Sequence, residues 1–250
     1  MGANTAATQW LRVLRRESAP RRQLVCLAPG GASAAFYRGL AQHIGPGIEV
    51  VAAQYPGRQD RLGDPLITDL PELAGEIAAD LLNLPPTPRA LFGHSMGATV
   101  AYEVARRLAA DGRPVRELIV SGRPAPDFVE TGLLHKASDA ELIDHLERLA
   151  ADPAPVRLLR TEPGLAELVL PGLRADYQAV ETYRHRPGSV LNCPVTAFVS
   201  TEDPTTSLAQ AEQWQTVTDG PFSLCTFPGG HFYFDDEPRV VAEAITRCLT

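Results

Sequence analysis

Lysine is almost missing from this chain. Lys136 is the only one in 250 residues, and the other 22 basic residues are arginines. That usage fits a GC-rich coding bias rather than a special role for arginine. A basic excess is missing too: 23 basic against 30 acidic residues leave a net charge of −7. Nucleic-acid binders usually carry a basic excess on one face, so nucleic acid is not an expected partner. No apolar run approaches the ~20 residues of a membrane-spanning helix, so no membrane partner is expected either. The N-terminal region mixes Trp10, Leu11, Val13 and Leu14 with Arg12, Arg15 and Arg16, and lacks the apolar stretch of a signal peptide. Gly2 is followed by Ala6, where a myristoylation motif wants Ser or Thr. A cytoplasmic protein is expected. Cysteine is scarce as well. Cys26, Cys193, Cys225 and Cys248 form no CxxC pair, which argues for free thiols over a metal or redox site.

What remains is ordinary globular composition, 44% hydrophobic and 21% charged, in a length that suits one α/β domain spanning residues 1–250. Near-continuous apolar runs at Leu24–Ala28, Ile48–Ala53, Ala90–Gly93, Leu118–Ser121, Val195–Ser200 and Phe222–Phe227 read as strands buried on both faces. Helical periodicity separates them. Leu70, Leu73, Ile77 and Leu81 share a face behind Asp69, Pro71 and Glu72, which have start-of-helix spacing. Val100, Val104 and Leu108 repeat every four residues. Val241, Ala244, Ile245 and Cys248 form a last helix with Asp235 or Asp236 as its expected cap. This alternation predicts a doubly wound α/β sheet.

Residues 123–187 break the alternation and read as a helical insertion. Ser138 and Glu141 box the start of a helix carrying Leu142, Leu146 and Leu149. Asp152–Pro155 interrupts it, and further helices are expected at Leu165–Leu170 and Leu173–Tyr183. Long insertions on such sheets commonly act as lids or binding walls.

The chemistry concentrates at Gly93-His94-Ser95-Met96-Gly97, between a strand and a helix. That is the context of a nucleophile elbow. The tight turn strains Ser95, and glycine at 93 and 97 avoids collisions with strand and helix. Ser95 then stands at a helix N-terminus, which favours an oxyanion. A serine hydroxyl needs a base. Among six histidines, His231 follows the last strand through Pro228-Gly229-Gly230, where the order Ser, acid, His puts it. His94 points away from Ser95, His43 ends a helix in solvent, and His135, His145 and His185 read as surface or cap residues. Asp203, just past Val195–Ser200, is the expected acid, with Glu202 its near competitor; its task is to hold the imidazole tautomer. In the loop Ala28–Ser33, Pro29 lacks an N–H, so Gly30 is the expected oxyanion donor, paired with Met96.

With these residues assembled, the chain resembles the type II thioesterases, stand-alone editing hydrolases of polyketide and nonribosomal peptide synthesis. The resemblance runs over nearly the whole length. It rests on Leu24–Tyr37, Gln54-Tyr55-Pro56-Gly57-Arg58 with Arg61, the elbow, Ser121-Gly122-Arg123-Pro124-Ala125-Pro126, Leu170–Asp176, Asp203-Pro204, Trp214 and Gly229-Gly230-His231-Phe232. Ala28-Pro29-Gly30 stands where the family usually has Pro-His-Ala. Ser121 occupies the place where integrated thioesterase domains commonly carry their acid, which favours the stand-alone class. The resemblance implies the α/β-hydrolase fold with a lid and a triad of Ser95, Asp203 and His231. It also implies hydrolysis of acyl thioesters on the phosphopantetheine arm of carrier proteins, without metal or redox cofactor. An acidic carrier docking on this −7 chain would need a local arginine cluster. The rival readings are a small-molecule carboxylesterase or acyltransferase with the same triad, and an inactive scaffold used for binding.

Overall fold

A computed structural model describes residues 8–188 and 190–250. The Gly2 and Ala6 reading lies outside the described residues. Seven strands form one sheet: β1 (Leu11–Arg15), β2 (Arg22–Leu27), β3 (Ile48–Ala53), β4 (Arg89–His94), β5 (Glu117–Ser121), β6 (Val195–Ser200) and β7 (Phe222–Phe227). Their order is β1-β3-β2-β4-β5-β6-β7. All neighbours are parallel except β1, which pairs antiparallel with β3. Every residue of β3, β4, β5 and β6 is buried, as near-continuous apolar runs between helical layers should be.

The helices are α1 (Arg38–His43), α2 (Leu70–Asn83), α3 (Met96–Ala110), α4 (Asp139–Leu149), α5 (Ala154–Thr161), α6 (Pro163–Thr182), α7 (Leu208–Glu212), α8 (Tyr233–Asp236) and α9 (Pro238–Leu249). Helix α1 packs on α9, and α2 on α3. The apolar stripe of α2, including Leu70, Leu73, Ile77 and Leu81, is buried, and Asp69 accepts the Glu72 N–H at 2.7 Å to start the helix. Between β5 and β6 the chain runs through α4, α5 and α6, with no strand among the described residues. These helices share a small apolar cluster of their own, built on Leu142, Ile143, Leu159, Leu170 and Leu173.

The structure adds one strand and corrects three local expectations. The segment Leu11–Arg15, which the sequence pattern did not single out as an element, is a strand; one half-covered edge face accepts arginines that a central strand would not. Asp152–Pro155 is not a simple break, because α5 begins inside it. Pro155 falls in its first turn, where a missing N–H costs nothing, and Asp152 accepts the Ala154 N–H at 2.9 Å. The two helices expected around Leu170 and Leu173 are one, with Pro171 inside it. Burial of Leu170 and Leu173 on either side offsets the lost hydrogen bond. The cap position of α9 is not at Asp235 or Asp236. Both belong to α8, and Glu237 holds the cap position without a side-chain bond. The four cysteines are free, Cys26 and Cys193 buried, Cys225 and Cys248 partly so.

Candidate active site

The sheet order reverses between β2 and β4. Strand β3 lies on one side of β2, and the chain then crosses to β4 on the other. In open α/β sheets such a switch point opens a crevice at the carboxyl ends of the strands. The loop after β2 carries Gly30, and the turn after β4 carries Ser95. Both residues line one cavity of about 310 Å³, together with Met96 and His231.

Ser95 has φ 54° and ψ −126°, one of two non-glycine residues at positive φ among those described. Such a conformation costs about 1–3 kcal/mol and persists only where the surroundings enforce it. They do so through close approach. A Cβ on Gly93 would stand 2.1 Å from the Gly97 carbonyl oxygen, and one on Gly97 would stand 2.0 Å from that of Leu27. The Ser95 N–H is held by the Ser121 carbonyl at 2.8 Å. Immediately afterwards α3 starts with Met96, whose N–H belongs to the unpaired first turn of the helix. The Gly31 N–H is already taken by Asp176 at 2.8 Å, whereas the Gly30 N–H donates to no group among the described residues. Of the two glycines, Gly30 is therefore the one free to meet a developing oxyanion.

His231 follows β7 and is 2% exposed. Its Nδ1 lies 2.9 Å from Asp203 Oδ2. Asp203 sits beyond β6, and its other oxygen accepts the Thr205 N–H at 2.8 Å and the Thr205 hydroxyl at 2.7 Å. Burial alone would raise the Asp203 carboxyl, but the bonds from His231 and Thr205 outweigh it and hold the group below its ordinary value. Asp203 is thus a carboxylate that orients the imidazole. Glu202 is exposed, and no contact joins it to His231. Thr205 escaped the sequence reading. Its signal was the Asp-x-Thr spacing, where an Asp side chain accepts bonds from the residue two positions on.

His94 does face away from the cavity. It is fully buried, its Nδ1 meets Ser121 Oγ at 2.9 Å, and that hydroxyl meets the Tyr233 hydroxyl at 2.7 Å. Its ring lies 4.7 Å from that of His231. Burial first, and the neighbouring His231 second, push its pKa well below the usual imidazole value. It therefore stays neutral and contributes shape, not charge.

The histidines expected on the surface behave differently. His43 is exposed at the end of α1. His135 pairs with buried Glu181, and His185 meets the Tyr102 hydroxyl at 3.1 Å. His145 lines the cavity with its ring edge-on to Tyr177 at 5.5 Å. Helical pattern alone does not show which side chains of the insertion turn towards the cavity, because its helices both pack a small apolar cluster and line the cavity.

Arg58 and Asp176 form a second constellation that spacing did not reveal. Asp176, on α6, accepts from Arg58 Nη2 at 2.7 Å and from the Gly31 N–H with the same oxygen; Arg58 Nη2 also reaches the Gly172 carbonyl at 3.3 Å. Burial pushes the Asp176 carboxyl up, against the pull of Arg58 and the Gly31 N–H. The insertion is thereby tied to the loop that carries Gly30.

The thioesterase domain family model matches residues 22–249. A probable cadicidin biosynthesis thioesterase of Streptomyces griseus is 38% identical over 99% of this chain and 68% of its own length. Thioesterase PikA5 of Streptomyces venezuelae is 38% identical over 97% of this chain and 86% of its own. The solved structure of the type II thioesterase BorB, from the borrelidin biosynthetic cluster, superposes with a TM-score of 0.86. It is 41% identical, and 98% of each chain is covered.

Proposed function

Because the chain belongs to the thioesterase domain family, we propose that it hydrolyses acyl thioesters carried on the phosphopantetheine arm of carrier proteins, clearing acyl groups in polyketide or nonribosomal peptide synthesis. The observation that carries the site assignment is the buried His231–Asp203 pair opening on the same cavity as the Ser95 elbow. His231 takes the Ser95 proton as Ser95 attacks the thioester carbonyl. The Gly30 and Met96 N–H groups face the oxyanion, and each such donor is worth about 2.7–4 kcal/mol. The thiol leaves, and water activated by His231 frees the acid.

The chamber walls come largely from residues 123–187, with Phe128, Leu134, Leu146 and Leu149 supplying apolar surface for an acyl group. That supports reading this segment as the lid of a single α/β-hydrolase domain. Arg123, Arg160 and Arg174 of this segment are ion-paired with Glu130, with Asp144 and Glu147, and with Asp139. An acidic carrier docking there would have to compete with those carboxylates.

Hydrolysis of a panel of acyl-loaded carrier proteins by wild type and Ser95→Ala tests the reading. Wild type should release the acids, and Ser95→Ala should lose at least about 10³-fold in kcat. Faster turnover of oxygen esters than of the carrier thioesters would replace this function with that of a carboxylesterase. A fluorophosphonate that fails to label Ser95 would dismiss the nucleophile.

A further inference from the structure

The apolar chamber contains two polar side chains that its walls leave unsatisfied. Tyr177, on α6, and His145, on α4, both line the cavity. Their rings meet edge to face, 5.5 Å apart and at 82°. Neither the Tyr177 hydroxyl nor a His145 ring nitrogen makes a hydrogen bond to any described residue, and both side chains are half-buried. The other polar groups around them are occupied. Arg123 pairs with Glu130, and Glu181 receives the Leu134 and His135 N–H groups and the His135 ring.

The surroundings bias both protonation states. Burial, followed by the carboxylates of Glu181, Asp176 and Glu130, pushes the Tyr177 phenol up, so it keeps its proton and can donate. Burial, followed by Arg148 and His231 and against Glu181, pushes His145 down, so it is neutral and has one donor and one acceptor nitrogen. In an empty chamber, water satisfies these groups. A hydrocarbon chain that expels the water leaves them unpaired, whereas a chain bearing oxygen at the right carbon pairs them.

We propose that Tyr177 and His145 form a specificity pair that selects acyl chains carrying a hydroxyl or keto oxygen over fully reduced alkyl chains. This rests on the thioesterase reading above and names its substrate class. A site built to hydrogen-bond a substrate oxygen discriminates far more strongly than a site that merely measures length.

The test uses isosteric pairs on one carrier protein. One hydroxyl is moved outward from carbon 3 along the acyl chain, and each ester is compared with the chain bearing a methyl at the same carbon. At one or more positions, kcat/KM should favour the hydroxyl by at least about ten-fold. Tyr177→Phe and His145→Phe, which keep the ring contact, should bring that ratio towards one. Because the ratio compares two substrates of one preparation, it is insensitive to the folded fraction. A wild-type ratio of one or less at every position overturns the inference while leaving the thioesterase function standing. So does a ratio that both variants retain. A variant effect that is equal for both chains on the full pantetheine arm, and absent with N-acetylcysteamine esters, also overturns it, because the pair then reads the arm. Hydrolysis of neither ester removes the function, and this inference with it.

Discussion

His94 shows how one residue of the elbow couples the site to acidity. Its folded pKa is pushed well below the unfolded value. Below about pH 6.5 the unfolded chain therefore binds a proton that the native chain refuses, and stability falls as pH falls, by up to about 1.4 kcal/mol per pH unit. Denaturant midpoints measured between pH 7 and 5 should decline in wild type and decline less steeply in His94→Gln; equal slopes would assign the loss to other groups. Asp203 acts in a lower window. Its depressed carboxyl contributes stability above its unfolded pKa near 3.9, and that stability is lost as pH falls through the folded value. In catalysis the expected effect is larger. Asp203→Asn should keep the fold but lower kcat by about 10⁴-fold, because an amide favours the wrong imidazole tautomer. Steady-state kinetics on an acyl-carrier substrate checks it, and a drop below ten-fold would shift the role to another acid.

At the scale of elements, the decisive contact joins α6 to the loop after β2. Asp176 holds both Arg58 and the Gly31 N–H, so the residue beside Gly30 is fixed by the insertion. Asp176→Ala should cost about 3–5 kcal/mol, because it strands a buried guanidinium. Asp176→Asn keeps an acceptor for Gly31 and removes the charge. It should lower kcat by ten-fold or more with a smaller change in KM, since a donor misplaced by about 1 Å can cost 10²-fold. An effect confined to KM would make Asp176 a wall of the chamber and not a support for the oxyanion donor.

The same element shows what a sequence can carry. Strands β2 to β7 and the boxed start of α4 are legible because apolar runs and end-of-helix hydrogen bonding leave local patterns; burial on both faces holds for β3 to β6, whereas β7 is an edge strand with Ser223 and Thr226 exposed. The loop positions of Ser95, Asp203 and His231 are legible because turn chemistry and strand order fix them. The continuity of α6 through Pro171 is not, since contacts from distant residues decide it. Nor is the Arg58–Asp176 pair, 118 positions apart: charge spacing along a chain says nothing about encounters across a fold.

Across the whole molecule, a continuous set of contacts runs from the edge of the sheet to the candidate site. Trp10, beside β1, is buried, and the Arg61 guanidinium lies 4.0 Å from its ring centroid. The Trp10 carbonyl accepts the Gln54 N–H at 2.8 Å, and Arg61 Nη1 donates to the Gln54 carbonyl at 2.9 Å. The Gln54 side chain in turn accepts the Ala34 N–H at 3.0 Å and donates to the Arg58 carbonyl at 3.2 Å. Arg58 then reaches Asp176 and, through it, the Gly31 N–H. An edge strand far from any chemistry thus braces the segment on which Arg58 rests. Trp10→Ala should cost about 3–5 kcal/mol of stability from lost packing, but contiguity alone does not prove transmission to the site. A double-mutant cycle of Trp10→Ala with Asp176→Asn, read in kcat under conditions where all four proteins are folded, measures it. A coupling of about 0.5–3 kcal/mol means the brace reaches the oxyanion loop, whereas additivity confines the edge strand to stability.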